Sequence, residues 1–319
     1  SELVDAASTT LSKFFALGLL LVALIFLSPS LQADDQSTPD LQANESTSDN
    51  RPAAKLEPEP QSLWEMRLAA FARHGSSYPA SSENQFNFIP LPFPVYRGRF
   101  LRLGSDVEQP IQGRIFQRDG IRLGIDVDLH FASDSDEINA RTGMPNLDFM
   151  LEAGPELELQ LVDGNIAGGD LFLALQLRAA FSFDGLDPTY RGLVFSPGLR
   201  YLKKLWLPKQ QLRLRLTPTI ASSDYMNYYY GVEPQFAMSQ RPAFDAKSGY
   251  LGTELSVAIR QPITKNFEIW GGLQFGFHSG AKNNDSPLYT EGNTQSVYVA
   301  FLYKFWESNR KVPAEYSQM

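Results

Sequence analysis

The feature that most constrains this chain is a period of two. In IRLGIDVDLHF, Ile121, Leu123, Ile125, Val127, Leu129 and Phe131 fall on one side, and Arg122, Gly124, Asp126, Asp128 and His130 on the other. Alternation at this period puts successive side chains on opposite faces of a β-strand. ELELQLV repeats it, with Leu157, Leu159 and Leu161 against Glu156, Glu158 and Gln160, and QLRLRL sets Leu212, Leu214 and Leu216 against Arg213 and Arg215. Twelve such segments run near 63–73, 85–96, 99–105, 110–117, 121–131, 148–162, 170–182, 190–201, 211–220, 249–260, 267–278 and 293–305. Most are about ten residues long, the length a tilted strand needs to cross hydrocarbon. Proline-rich IPLPFPVY fits a strand least well, because proline cannot donate to a ladder. After Trp64 the sequence offers no convincing amphipathic helix.

The connections alternate too. Even-to-odd joins are short (RG, RDG, DGNIAGG, LKKLWLPKQ, QPITKN), whereas most odd-to-even joins are long, at 74–84, 132–147, 221–248 and 279–292. The joins at 106–109 and 183–189 are short and break the pattern. Short turns at one rim and long loops at the other are the habit of outer-membrane barrels, and an even strand count returns both termini to the short-turn, periplasmic side.

The amino end fits that compartment. KFFALGLLLVALIFLSPSLQA carries Lys13, an apolar run from Phe14 to Leu27, and small residues up to Ala33, the layout of a secretory signal cleaved between Ala33 and Asp34. The apolar run falls short of the ~20 residues a spanning helix needs. Residues 34–62 are acidic and rich in Pro, Ser and Thr, a disordered periplasmic leader by composition; 63–305 form the barrel and 306–319 a periplasmic tail. The net charge of -8 argues against nucleic acid as a partner. The absence of cysteine removes disulfides, thiolate nucleophiles and Cys-ligated metals, and three scattered histidines make zinc improbable. No cofactor is expected.

An alternating strand serves a soluble sandwich with the leucines inward equally well. Three features favour lipid outside. The polar face carries many small residues, among them Gly124, Ala174, Ala180, Gly252, Ala258, Gly272 and Gly276, which suit a crowded barrel interior. Trp64, Tyr96, Phe131, Tyr201, Trp206, Phe267, Trp270, Phe277, Tyr303 and Phe305 gather near strand ends, where an interfacial belt belongs. The last strand, NTQSVYVAFLYKF, aligns Val297, Val299, Phe301, Tyr303 and Phe305 on one face and ends in an aromatic, like a carboxy-terminal barrel-insertion signal, although WESNRKVPAEYSQM follows it. The expected fold is all-β: a transmembrane antiparallel β-barrel of about 12 strands (10–12) in the outer membrane.

PLPFPVYRGRFLRL, LEAGPELELQL, SSDYMNYYYGV, SGYLGTEL, DSPLY and LYKF occur in that order. In these stretches residues 63–305 resemble the MipA/OmpV family of outer-membrane proteins. The resemblance implies a Gram-negative outer-membrane barrel contacting outer-membrane lipid. It further implies a scaffold or interaction role, with a lytic transglycosylase and a penicillin-binding protein of the murein-synthesising machinery as partners. A narrow channel for small solutes is the alternative. No catalytic residues carry over.

Candidate chemistry is sparse. His130 near Asp128 and Ser133, and His278 beside Ser279, invite comparison with a Ser/His/acid site, but no GxSxG elbow is present and a polar rim is the better reading. Asp126, Asp128, Asp134 and Asp136 offer oxygen ligands to a divalent cation without a Gly-centred Ca²⁺ loop, so a solvated acidic rim is favoured. Tyr225, Tyr228, Tyr229 and Tyr230 are equally suited to contacting sugar or protein and to bracing a loop against the barrel mouth. Arg122, Arg178, Arg213, Arg215 and Arg260 are expected to pair with Asp126, Asp128, Glu152, Glu156, Glu158 and Glu254 and to fill the lumen, because unpaired ions there are costly.

Overall fold

The computed structural model describes residues 61–98, 101–103, 111–118 and 120–312. The described strands are β1 (Gln61–Ser62), β2 (Trp64–Ser76), β3 (Asn84–Arg97), β4 (Leu101–Leu103), β5 (Ile111–Arg118), β6 (Ile121–His130) and β7 (Phe149–Ile166). They continue as β8 (Gly169–Asp184), β9 (Asp187–Lys204), β10 (Gln211–Ala221), β11 (Gly249–Pro262), β12 (Phe267–Phe277), β13 (Asn293–Glu307) and β14 (Lys311–Val312). Among the described residues one α-helix, α1 (Ser223–Tyr230), lies in the β10–β11 loop.

Strands β2 to β13 each pair antiparallel with their sequence neighbours, and β13 pairs with β2, so twelve strands close a barrel. Each of the twelve alternating segments is a strand. Tertiary pairing carries several past the ends the sequence marks: the segment near 148–162 runs on to Ile166, and the one near 190–201 spans Asp187–Lys204. Of the segment near 99–105, the described residues are Leu101–Leu103, the strand β4.

Neighbouring residues answer which face is enclosed. Arg178 is buried whereas Leu177, beside it, is 46% exposed, and across the barrel wall Glu152, Asp126 and Glu156 are buried while Leu199 and Phe301 are about 40% exposed. The ionic stripe therefore points inward and the apolar stripe outward, as a hydrocarbon environment requires. Phe301, Tyr303 and Phe305 stand on the outer face of β13, with Val297 and Val299 sharing that face by register. The small inward residues make room for large neighbours: a Cβ on Gly272 would lie 2.5 Å from the Tyr298 ring, and one on Gly276 would meet Thr294 and His278.

At the short-turn end β1 and β14 form a two-stranded clasp outside the barrel, Gln61 opposite Val312 and Ser62 opposite Lys311. Leu63 N donates to Arg310 O at 2.8 Å and Arg97 Nη1 to Ser62 O at 3.0 Å, tying both flanks of the barrel together. The clasp takes Gln61 and Ser62 from the stretch assigned to the leader and Lys311 and Val312 from the tail. The Ala33–Asp34 bond and the rest of the leader lie outside the described residues.

Two aromatics do not join the interfacial belt. Trp270 is 1% exposed and turns inward, packed on Ala300 and Leu302, because its register position lies on the same face as Glu268 and Gly272. Phe131 stacks on Phe71 with centroids 5.7 Å apart. Nearness to a strand end locates an aromatic along the barrel axis; parity sends Trp270 inward, whereas Phe131 lies one residue past the end of β6 and is released from its alternation.

Candidate functional site

The lumen is layered, and each layer follows from parity. Nearest the short-turn rim lies an ionic girdle. Glu65 accepts from Arg67 at 2.8 Å and Arg97 at 2.9 Å, and Arg260 reaches Glu268 at 2.6 Å. Above it, Trp270 makes an apolar waist with Ala300, Leu302, Ala69 and Phe71. The Arg213 guanidinium lies 4.5 Å from the centroid of the Trp270 ring, a cation–π contact. Beyond the waist opens a chamber of about 720 Å³ whose wall includes Arg73, Asp128, Arg178, Arg215 and Glu254.

The chamber's polar anchor is Arg178. Its Nε donates to Glu152 at 2.9 Å, its Nη1 to Asp126 at 2.9 Å, and its Nη2 lies 3.8 Å from Asp128, so one guanidinium serves three carboxylates. Glu152 also takes His130 Nε2 at 2.8 Å and the Tyr225 hydroxyl at 2.7 Å. A second cluster joins Arg122 to Glu156 and Glu158 at 3.0 and 3.2 Å, and Arg200 pairs with Glu158. Such clusters rigidify an interior when every member is satisfied. Arg122 and Arg178 pair as expected from the sequence, whereas Arg260 goes to Glu268, outside the expected set, and Arg213 stacks on Trp270. Arg215, together with Arg73, acts electrostatically on Glu254.

The roof is built from loops 77–83, 131–148, 222–248 and 278–292. They share an apolar core containing Tyr78, Leu147, Met226, Tyr229, Tyr230 and Leu288. Hydrogen bonds lace it: Tyr78 OH to Leu288 O at 2.7 Å, Ser286 Oγ to Tyr230 O at 2.8 Å, Tyr230 OH to Pro79 O at 2.9 Å. Helix α1 begins where Ser222 docks on β9. Leu193 N donates to Ser222 Oγ at 2.9 Å beside Gly192, whose φ of +112° and contact with Ser222 exclude a side chain. Tyr225, Met226, Tyr229 and Tyr230 form the buried face, and burial pushes the phenols of Tyr225, Tyr229 and Tyr230 well above their usual value. Tyr228 is partly buried, donates to Asp148 O at 3.1 Å, and is pushed up to about 12, first by burial and then by Asp148. Tyr225, Tyr229 and Tyr230 thus pack within the loop core at the barrel mouth, with Tyr228 against it.

This helix is the element the sequence did not disclose. Four tyrosines in eight residues read as a strand former, and only packing on the mouth selects the helix.

The catalytic pairings dissolve. Ser133 Oγ donates to Ser77 O at 2.9 Å, away from His130, which faces Glu152. Both ring nitrogens of His278 are engaged, Nδ1 with Leu251 O at 3.1 Å and Nε2 with Thr294 Oγ1 at 3.3 Å. The four acids considered for a cation separate: Asp126 and Asp128 enter the lumen, while Asp134 and Asp136 accept backbone amides in the loop. Asp128, His130 and Glu152 do place ligand atoms within 4.8 Å of one another, but Arg178 already supplies a cation to both carboxylates. Glu65, Arg97, Arg200 and Glu268 were not singled out in the sequence; parity within their strands is the signal that finds them.

A closed antiparallel barrel with an apolar exterior, an ionic lumen and both flanks at the short-turn rim defines an outer-membrane β-barrel protein. The profile of the MltA-interacting protein MipA family matches residues 68–305, and the chain belongs to that family. A curated relative, the outer membrane protein Omp26La of Vibrio anguillarum, is 26% identical over 172 residues, 54% of this chain and 61% of that protein. The chain thus spans less than two thirds of that relative's length. Similar solved structures include the translocator domain of the autotransporter NalP from Neisseria meningitidis (TM-score 0.38, 10% identity, 81% of this chain and 90% of that one). A bacterial polysaccharide outer membrane secretin matches with TM-score 0.37 and 11% identity over 77% of this chain and 99% of that one.

Proposed function

We propose that this barrel acts without catalysis, as an outer-membrane scaffold rather than a pore, with a lytic transglycosylase and a penicillin-binding protein of the murein-synthesising machinery as its periplasmic partners. The observation that carries this reading is the roof. An apolar loop core covers the long-loop mouth, and Tyr225 links it to Glu152 at 2.7 Å. Below it, the Trp270 waist and the Glu65–Arg67–Arg97 girdle narrow the lumen again. A barrel filled in this way offers solutes at most a tight passage. The family description, MltA-interacting protein, supports the choice of partner.

In this reading the periplasmic rim, with its β1–β14 clasp, is the face open to soluble enzymes. The outer stripe Val297, Val299, Phe301, Tyr303 and Phe305 serves insertion, and cleavage at Ala33–Asp34 releases the mature chain. Gentle detergent extraction followed by affinity isolation tests the scaffold: a transglycosylase and a synthase should co-purify, and the absence of both defeats it. Planar-bilayer recording tests the closed lumen. No steady conductance is expected, and large stable steps would install the narrow solute channel instead.

A further inference from the structure

The long-loop rim and one arc of the short-turn rim carry opposite charge. At the long-loop end Asp134, Asp136, Asp224, Glu233, Asp245 and Asp285 are exposed, against the exposed lysines Lys247 and Lys282. At the short-turn end, the arc formed by β9 to β12 lacks exposed carboxylates. The sequence holds no Asp or Glu from Arg191 to Ser223 or from Leu255 to Phe267, and Glu268 is turned into the lumen, where it pairs with Arg67 and Arg260. Lysines stand on the arc instead: Lys203 at the foot of β9, Lys209 in the β9–β10 turn and Lys265 in the β11–β12 turn. Among the described residues none of these three takes part in an ion pair, whereas Lys304 and Lys311, further round the rim, both reach Glu307.

Each lysine lies just beyond an aromatic. Tyr201 and Lys203 share the outer face of β9 with Leu199, which is 41% exposed toward hydrocarbon. A strand rises about 3.3 Å per residue, so Lys203 sits roughly 6–7 Å past Tyr201 toward the periplasm. Trp206 precedes Lys209 by three residues, and Lys265 precedes Phe267 by two. An aromatic belt marks the edge of the hydrocarbon, and the lipid head groups form the next layer outward. Trp206 is 63% exposed and Ile263 54%, so both turns mix apolar side chains with lysine, a composition that suits an interface better than bulk water. Local geometry supports two of these positions. The Tyr201 hydroxyl donates to Ile166 O at 3.0 Å, its ring lying over Gly169, where a Cβ would come within 2.5 Å of it. Lys209 adopts a φ of +59°, a left-handed conformation that glycine takes without strain, so its side chain is present against the local backbone preference.

We propose that this arc is a docking surface for anionic phospholipid head groups of the periplasmic leaflet, phosphatidylglycerol in kind, with each phosphate seated between a lysine and the belt aromatic next to it. Charge complementarity carries the choice of occupant. One lysine close to an anionic surface raises the local concentration of an anionic lipid by about fivefold, and a zwitterionic head group offers no net charge to match it. The three strand spacings from β9 to β12 span about 14 Å, so the arc seats a short row of lipids rather than a single one. The acidic long-loop rim exerts no such attraction, and the contact therefore belongs to one end of the barrel. The surface is independent of any murein partner.

Leu207, 40% exposed in the turn that carries Lys209, is a suitable reporter position. The full mature chain with bimane on Leu207→Cys is reconstituted in phosphatidylcholine vesicles that contain a fixed minor share of phosphatidylglycerol. A doxyl quencher near the head group is carried by the phosphatidylglycerol in one preparation and by an equal share of the phosphatidylcholine in the other, so the surface charge is the same in both. About fivefold enrichment of the anionic quencher is expected at position 207. No enrichment is expected at Leu161→Cys, an exposed position of β7 near Asp163. Lys203→Gln/Lys209→Gln/Lys265→Gln should bring the enrichment at 207 down to the bulk composition in protein that still shifts on a heat-modifiability gel. Equal quenching by the two labels at 207, equal enrichment at 161, or enrichment that survives in the triple variant overturns the proposal. So does lysine-dependent binding of purified sacculi without lipid enrichment, which would give the arc to a periplasmic polyanion.

Discussion

Replacing Arg178 by Met is the sharpest probe of the enclosed ionic stripe. The substitution keeps much of the side-chain volume but withdraws the charge from Glu152 and Asp126, each held at 2.9 Å, and from Asp128 at 3.8 Å. Glu152 keeps His130 and Tyr225, whereas Asp126 loses its Arg178 contact with Glu156 and Asp128 still nearby. Removing one member of a buried ion pair typically costs about 3–5 kcal/mol, since the charge left behind remains out of water. The residual partners of Glu152 place the expectation at the lower end, about 3 kcal/mol. Equilibrium urea unfolding in phospholipid bilayers, followed by tryptophan fluorescence, reads this out. The triple variant Arg178→Met/Asp126→Asn/Glu152→Gln should recover at least half of the loss, because it removes the orphaned charges. A loss below about 1 kcal/mol, the value of a solvated surface pair, would refute the reasoning and imply a water-filled lumen.

Other positions carry their own expectations. Leu177→Arg puts a charge on the lipid face and should cost about 2–4 kcal/mol near the bilayer midplane, measured by the same unfolding assay. Gly154→Ala should abolish folding yield, because its Cβ would sit 2.0 Å from Leu177 O across the β7–β8 ladder, and the heat-modifiable band should vanish. Tyr225→Phe removes a hydrogen bond to a carboxylate and should loosen the roof by about 1.5–3 kcal/mol, seen as faster proteolysis of loop 222–248. Burial lowers the His278 imidazole below its usual 6.5, so on acidification the unfolded chain takes up the proton first. The stability His278 confers is complete above about pH 6.5 and declines as pH falls toward the folded value; His278→Gln should flatten that slope in hydrogen exchange of the roof.

The fold was largely legible because its determinants are local. Period-two alternation marks all twelve strands, and loop lengths assign the rims without any knowledge of pairing. What stayed hidden depends on contacts between distant residues. The destination of Arg260 is Glu268 because strands β11 and β12 are adjacent in a particular register, which no single segment encodes. Trp270 reads as a belt residue until parity in β12 sends it inward. The helix α1 exists because the mouth offers Tyr225 and Tyr229 a place to be buried. The prolines of IPLPFPVY stand at alternate positions in plain sight, but that they spare the ladder with β2 becomes visible only in the register, where Arg97 N donates to Leu63 O and Ser77 N to Glu83 O, so that the odd positions of β3 carry its bonds to β2.

The account's central claim is the orientation of the wall, and adjacent residues test it. The chain has no cysteine, so one introduced thiol reports alone. Leu273, 39% exposed, points outward, and Gln274, its neighbour, lines the chamber. With a bimane label on Leu273→Cys or Gln274→Cys in bilayers containing doxyl-labelled phospholipid, strong quenching is predicted at position 273 and little at position 274. Strong quenching at 274 with none at 273 would mean that the apolar stripe is the enclosed one.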